Sequence, residues 1–128
     1  MKKILLALIK RWIMRKIILV ILCLVFCSNV YANSPKKIGI EFDNQTKRVS
    51  ITVTHPVEDP MSHFVKKIKL SLNRNTIVEK DFNRQQNRRS QILVYTIPSI
   101  KLGDVISVEA SCNKTGELFK EITIEEKY

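Results

Sequence analysis

The chain from Asn33 to Tyr128 predicts an all-β fold, an immunoglobulin-like antiparallel sandwich of about seven strands, preceded by an N-terminal signal peptide. Three observations predict it. Apolar residues recur with period two almost throughout, which is the spacing of half-buried strands rather than helices. Turn-forming residues punctuate those runs at short intervals, as in a sandwich of short strands. The first 32 residues have a different pattern and belong to targeting.

The opening stretch is basic up to Lys16, then apolar from Ile17 to Phe26, and ends in Val30-Tyr31-Ala32. Small or β-branched residues at the two positions a signal peptidase reads predict a cut after Ala32. The organisation expected is a signal peptide over 1–32 and one β-sandwich domain over 33–128, placed in the periplasm or secreted. The apolar run is short against the roughly 20 residues that a membrane span needs, so no stable span is expected after cleavage. Met14 opens a second stretch that is a complete signal in itself, and so competes with Met1 as the start. Cys27 follows Leu24-Val25-Phe26, and the bulk of Phe26 argues against a lipoprotein site there.

Cleavage changes the charge. The chain carries 22 Lys and Arg against 12 Asp and Glu, a formal net charge of +10. Removing six basic residues and no acidic one lowers it to +4. Most of the basic excess is therefore targeting, and nucleic acid is not an expected partner. Cys23 and Cys27 leave as well, which leaves Cys112 without a disulfide partner within the domain.

Along the domain, Ile38, Ile40 and Phe42 alternate with polar residues before the Asp43-Asn44-Gln45 turn. Val49, Ile51 and Val53 form the next strand, and His55 continues their parity. Ile68, Leu70 and Leu72 follow, ended by Asn73-Arg74-Asn75. A shorter strand runs from Ile77 to Phe82. The stretch NRQQNRRS has no apolar residue and reads as a solvated loop. Ile92 to Ile97 is a strand stopped by Pro98; Ile106, Val108, Ala110 and Cys112 share one parity; Ile122 and Ile124 close the domain.

The residues able to carry chemistry are few. Both histidines of the protein, His55 and His63, flank one Pro-containing loop, THPVEDPMSHF, and His63 is expected to open the next strand. Cys112 ends a strand at a turn closed by Gly116. These three are the only His and Cys residues of the domain, and each is placed at a strand end. The plain alternatives are a small buried hydrophobe for Cys112 and surface residues for the histidines. Glu58 and Asp59 read as solvated loop carboxylates. No catalytic triad, phosphate-binding glycine loop or paired-carboxylate site is present in the pattern.

The segments HPVEDPMSHFVKKIKLSL and LGDVISVEASCNKTG together resemble the iron domain of desulfoferrodoxins and superoxide reductases, over about Ser50 to Ile124. That resemblance implies a seven-stranded sandwich and a ferrous ion held by four histidines in a plane and one axial cysteine. It also implies superoxide as substrate, reduced by one electron and protonated to peroxide, and a small electron-donor protein. By position His55 and His63 fall on two histidine ligands and Cys112 on the axial thiolate. The sequence departs from the pattern at Thr115, where the family has a histidine, and in residues 33 to 54, which contain none. The loop from His55 to His63 is about two residues longer than usual. Two His and one Cys also suit zinc or copper. Three functions are therefore expected to compete: an exported iron protein of superoxide-reductase type, a non-enzymatic sandwich with a decayed site, and a periplasmic copper or zinc carrier.

Overall fold

The computed structural model describes residues 1–26 and 33–126. The chain divides into two units, Met1–Ala32 and Asn33–Tyr128. The first holds one helix, α1, Lys2–Phe26. Its six cations leave only a short uninterrupted apolar stretch, and no helix among the described residues is long and apolar enough to cross a membrane. The expected cleavage point after Ala32, and Cys27, lie outside the described residues.

Among its described residues the second unit holds seven strands: β1 Lys37–Asp43, β2 Arg48–Thr54, β3 Val65–Leu72, β4 Asn75–Asp81, β5 Ser90–Thr96, β6 Val105–Cys112 and β7 Glu117–Thr123. They form two antiparallel sheets, ordered β1-β2-β5 and β4-β3-β6-β7. This is the sandwich that the period-two pattern predicts. Alternation explains the core. Val49, Ile51 and Val53 of β2 face Ile68, Leu70 and Leu72 of β3 and Ile106, Val108 and Ala110 of β6, all buried.

Period two fails at one informative place. Val65 and Ile68 are both fully buried, although an odd separation should put them on opposite faces. The β3–β6 register supplies the reason: it shifts between Val65, paired with Cys112, and Lys67, paired with Ser111. A bulge at Lys66 takes up the extra residue and re-aims the start of β3 inward.

The boundaries differ modestly from expectation. β5 begins at Ser90 rather than Ile92, and Ile97 follows its end. His63 does not open β3, which begins at Val65; it lies in a turn where its N–H donates to Asp59 O at 3.0 Å. The hairpin after Leu72 turns on Asn73 and Arg74, with φ of 48° and 69°, the left-handed pair that a two-residue hairpin requires.

The register decides what meets at each end. Thr54 pairs with both Lys37 and Ser90, so the start of β1, the end of β2 and the start of β5 lie together. Val65 pairs with Cys112, which joins the start of β3 to the end of β6. Loops 55–64 and 82–89 each cross between the sheets at this end. The segment 33–36 and the turn 113–116 complete it.

Candidate metal centre

His55 follows the last residue of β2 and keeps its inward parity, so its side chain is only 2% exposed. Its N–H donates to Arg89 O at 2.8 Å, which fixes loop 82–89 beside it. That loop is not simply solvated, as its composition suggests. Gln85 turns inward from it and is 3% exposed. The Gln85 amide nitrogen donates to His55 O at 2.8 Å and to Asn87 O at 2.9 Å. Its carbonyl oxygen accepts from Val65 N–H at 3.2 Å and lies 2.8 Å from His55 Nδ1. Two backbone carbonyls on one side and one backbone N–H on the other leave the amide a single orientation. His55 Nδ1 must then carry the hydrogen and donate to Gln85. Its Nε2 is left without the hydrogen, and Asn33 O lies 2.9 Å from it.

His63 is half-buried, its ring edge-on to that of His55 at 4.7 Å between centroids and 89° between planes. Its Nε2 lies 3.2 Å from Cys112 Sγ. Burial, then the neighbouring His55, and also Lys114 hold the His63 pKa below its ordinary value, against the Asn33 carbonyl, which favours the protonated ring. A neutral imidazole is the form that binds a metal.

Cys112 ends β6 at 8% exposure. Its sulfur receives Lys114 N–H at 3.3 Å, and its own N–H donates to Gly116 O at 3.0 Å. The residue after it acts as a clamp on the other side of the site. Asn113 N–H donates to Phe64 O at 3.0 Å, Asn113 Oδ1 accepts from Phe64 N–H at 2.8 Å, and Asn113 Nδ2 donates to Ser62 O at 3.0 Å. These bonds grip the chain on both sides of His63 and hold it against the cysteine turn. Gly116 closes that turn with φ of +94°, and a Cβ there would fall 1.9 Å from Ser34 Oγ. Only glycine fits both the backbone and the space.

The three residues thus converge: one donor atom from each of His55, His63 and Cys112 lies within 4.8 Å of the others. The spacing suits a single ion. Bonds of about 2.0–2.3 Å meeting near a right angle separate donor atoms by roughly 3 Å, close to the spacing of His63 Nε2 and Cys112 Sγ. Neutral nitrogen and thiolate sulfur are donors for iron, zinc and copper alike. Thr115 is exposed in the turn, and Glu58 and Asp59 are exposed in the His loop, where Asp59 Oδ1 accepts from Met61 N–H at 2.9 Å. Sequence reasoning missed Gln85, Asn33 and the clamp of Asn113. Only Asn113 left a signal, as the residue following the cysteine.

The sequence matches no protein-family model and no curated protein. The structure does have relatives. A superoxide reductase solved in the oxidized state superposes with a TM-score of 0.54 at 16% identity, covering 74% of this chain and 92% of that one. A hypothetical protein from Pyrococcus horikoshii OT3 superposes with a TM-score of 0.50 at 14% identity, covering 74% and 91%. The likeness is one of architecture: the β-sandwich of this chain has the superoxide-reductase fold.

Proposed function

We propose that this chain is an exported metal-binding protein whose centre is built from His55, His63 and Cys112. The observation that carries the proposal is the approach of His63 Nε2 to Cys112 Sγ at 3.2 Å beside a buried His55. Ferrous iron is the first choice of ion, because the fold is that of a superoxide reductase. Zinc or copper is the alternative, because three donors with open positions satisfy either.

The ion would supply a redox or Lewis-acid centre. The chain's own residues orient it: Gln85 fixes the His55 ring, Asn113 holds His63, and Lys114 N–H donates to the sulfur. Superoxide is the substrate that the fold suggests, with a small protein as electron donor. Only three of the five family ligand positions are filled by metal-ligating side chains, since Thr115 replaces one histidine and residues 33 to 54 hold none. Iron binding is therefore weak, and superoxide reduction slight or absent. The protein acts in the periplasm or outside the cell, after cleavage following Ala32.

Metal analysis of protein purified from the exported fraction tests this, with Cys112→Ser alongside. More metal in the wild type than in the variant, after mild chelation, is the expected result. Equal metal content in both overturns it. Mass spectrometry of the same fraction should give a chain starting at Asn33, and a product retaining Trp12 refutes the cleavage.

A further inference from the structure

We propose that Asn33 completes the centre through its main chain. Its carbonyl oxygen is the fourth donor and, once Ala32 is cut away, its α-amino nitrogen is the fifth. This rests on the metal-site reading and on the cleavage proposed above.

The placement of residue 33 carries the proposal. Asn33 O lies 2.9 Å from His55 Nε2, the ring nitrogen that Gln85 leaves without the hydrogen. A carbonyl and an imidazole nitrogen without a hydrogen repel each other at that distance unless something positive lies between them. A cation bound by both atoms would lie between them. Two bonds of about 2.0–2.1 Å at a right angle put their donors ~2.8–3.0 Å apart.

The segment is also held there. Ser34 packs into the space left by the missing side chain of Gly116, in the turn that carries Cys112. Pro35 is buried, and Lys36 N–H donates to Thr54 O at 2.7 Å, the residue before His55. The N-terminal segment is thus docked on both the thiolate turn and the histidine strand.

Cleavage supplies the chemistry. An amide nitrogen is no donor, because its lone pair is delocalised into the carbonyl. The free amine left by cutting the Ala32–Asn33 bond is a donor, and with the carbonyl of the same residue it closes a five-membered ring on the ion. The centre then has three nitrogens, one sulfur and one oxygen, five donors in place of three. Export would in this way complete the site, and the uncut chain would bind metal poorly.

The test uses ferrous iron alone, under anaerobic competition with a chelator. One chain begins at Asn33; a second carries the native Tyr31-Ala32 ahead of it; each is also made with Cys112→Ser. Matching urea midpoints of the metal-free forms establish that both chains fold. The expected result is iron loss in both Cys112→Ser chains and binding by the extended chain weaker by at least the ~10–100-fold that loss of an outer-shell partner costs. Equal affinity of the two N-termini, with Cys112→Ser still abolishing binding, overturns this proposal and leaves the His–Cys centre standing. Iron retained by Cys112→Ser defeats the centre itself, and this proposal with it.

Discussion

Replacing Gln85 by Leu isolates the one side chain that ties the histidine strand to the loop crossing between the sheets. Leucine fills most of the volume and removes every polar contact. Four groups lose a partner: His55 Nδ1, His55 O, Val65 N–H and Asn87 O. Asn87 is exposed, so its carbonyl recovers a bond to water. Val65 and His55 are 0% and 2% exposed, so Val65 N–H, His55 O and His55 Nδ1–H do not. Each buried group left unpaired costs about 1–3 kcal/mol, so the metal-free protein should lose ~3–9 kcal/mol. That is a large part of the roughly 5–15 kcal/mol that stabilises a typical domain. The His55 ring also loses the acceptor that keeps the hydrogen off its Nε2, and iron affinity should fall ~10–100-fold. Gln85→Glu separates the two effects. It keeps an acceptor for His55 and Val65 while turning an oxygen on the two carbonyls, so it should lose stability but hold the ring. Urea unfolding at constant m-value gives the stability, and chelator competition gives the affinity. A Gln85→Leu midpoint shift worth less than ~0.5 kcal/mol would refute the buried amide. A loss of stability with unchanged iron affinity would refute its role in orienting His55.

Other outcomes follow from the same geometry. Gly116→Ala places a Cβ 2.8 Å from that of Ser34 at a φ of +94° and should cost at least ~1–2 kcal/mol in thermal unfolding, with Ser34→Gly relieving the side-chain contacts but neither the 3.0 Å approach to the Cα of residue 34 nor the backbone strain. Asn113→Ala frees Ser62 O and Phe64 N–H on either side of His63 and should cost ~1–2 kcal/mol while loosening metal binding, both readable in one titration series. Because the folded pKa of His63 lies below its ordinary value of 6.5, protonation favours the unfolded chain. Metal-free stability should therefore fall as pH drops below about 6.5, and His63→Gln should flatten that part of the urea-midpoint profile. Asp104 accepts from Asn73 Nδ2 at 3.0 Å and from Lys101 N–H at 3.0 Å, which lowers its pKa below 3.8. Its contribution is present above pH 3.8 and lost below it, so Asp104→Asn should show a smaller acid loss than the wild type.

How far the sequence reaches is set by what each feature depends on. Strand parity is a local property, and Val49, Ile51 and Val53 read as one face because nothing interrupts the pleat. The burial of Val65 beside Ile68 depends on the bulge at Lys66, a matter of how β3 meets β6, and no periodicity within β3 predicts it. The histidines and the cysteine were legible as candidates because they are the only such groups at strand ends. Their convergence was not, because it rests on register: Thr54 with Lys37 and Ser90, and Val65 with Cys112. Gln85 was misread because composition alone makes NRQQNRRS a solvated loop. Its burial follows from two inward-facing carbonyls and one N–H, which a sequence does not display.

The same polar groups bear on the choice between a working centre and a decayed one. Burying an imidazole and an amide costs free energy unless every donor and acceptor finds a partner, and a well-packed apolar pair would fill the space at less cost. Among the described residues every buried side-chain nitrogen or oxygen has a polar neighbour within hydrogen-bond distance; Gln85 and His55 Nδ1 do so through an interlocking set of bonds, while His55 Nε2 faces another acceptor, Asn33 O. The Asn113 clamp holds the chain on both sides of His63, on Phe64 N–H and Ser62 O. If the ion matters, loading it should raise the unfolding midpoint of the wild type by an amount that grows with free metal, as binding to the folded state alone requires. His55→Phe then decides between the two cases. It replaces the polar ring by an apolar one, so in a decayed site it should leave metal content unchanged, whereas in a working site the metal-dependent shift should disappear.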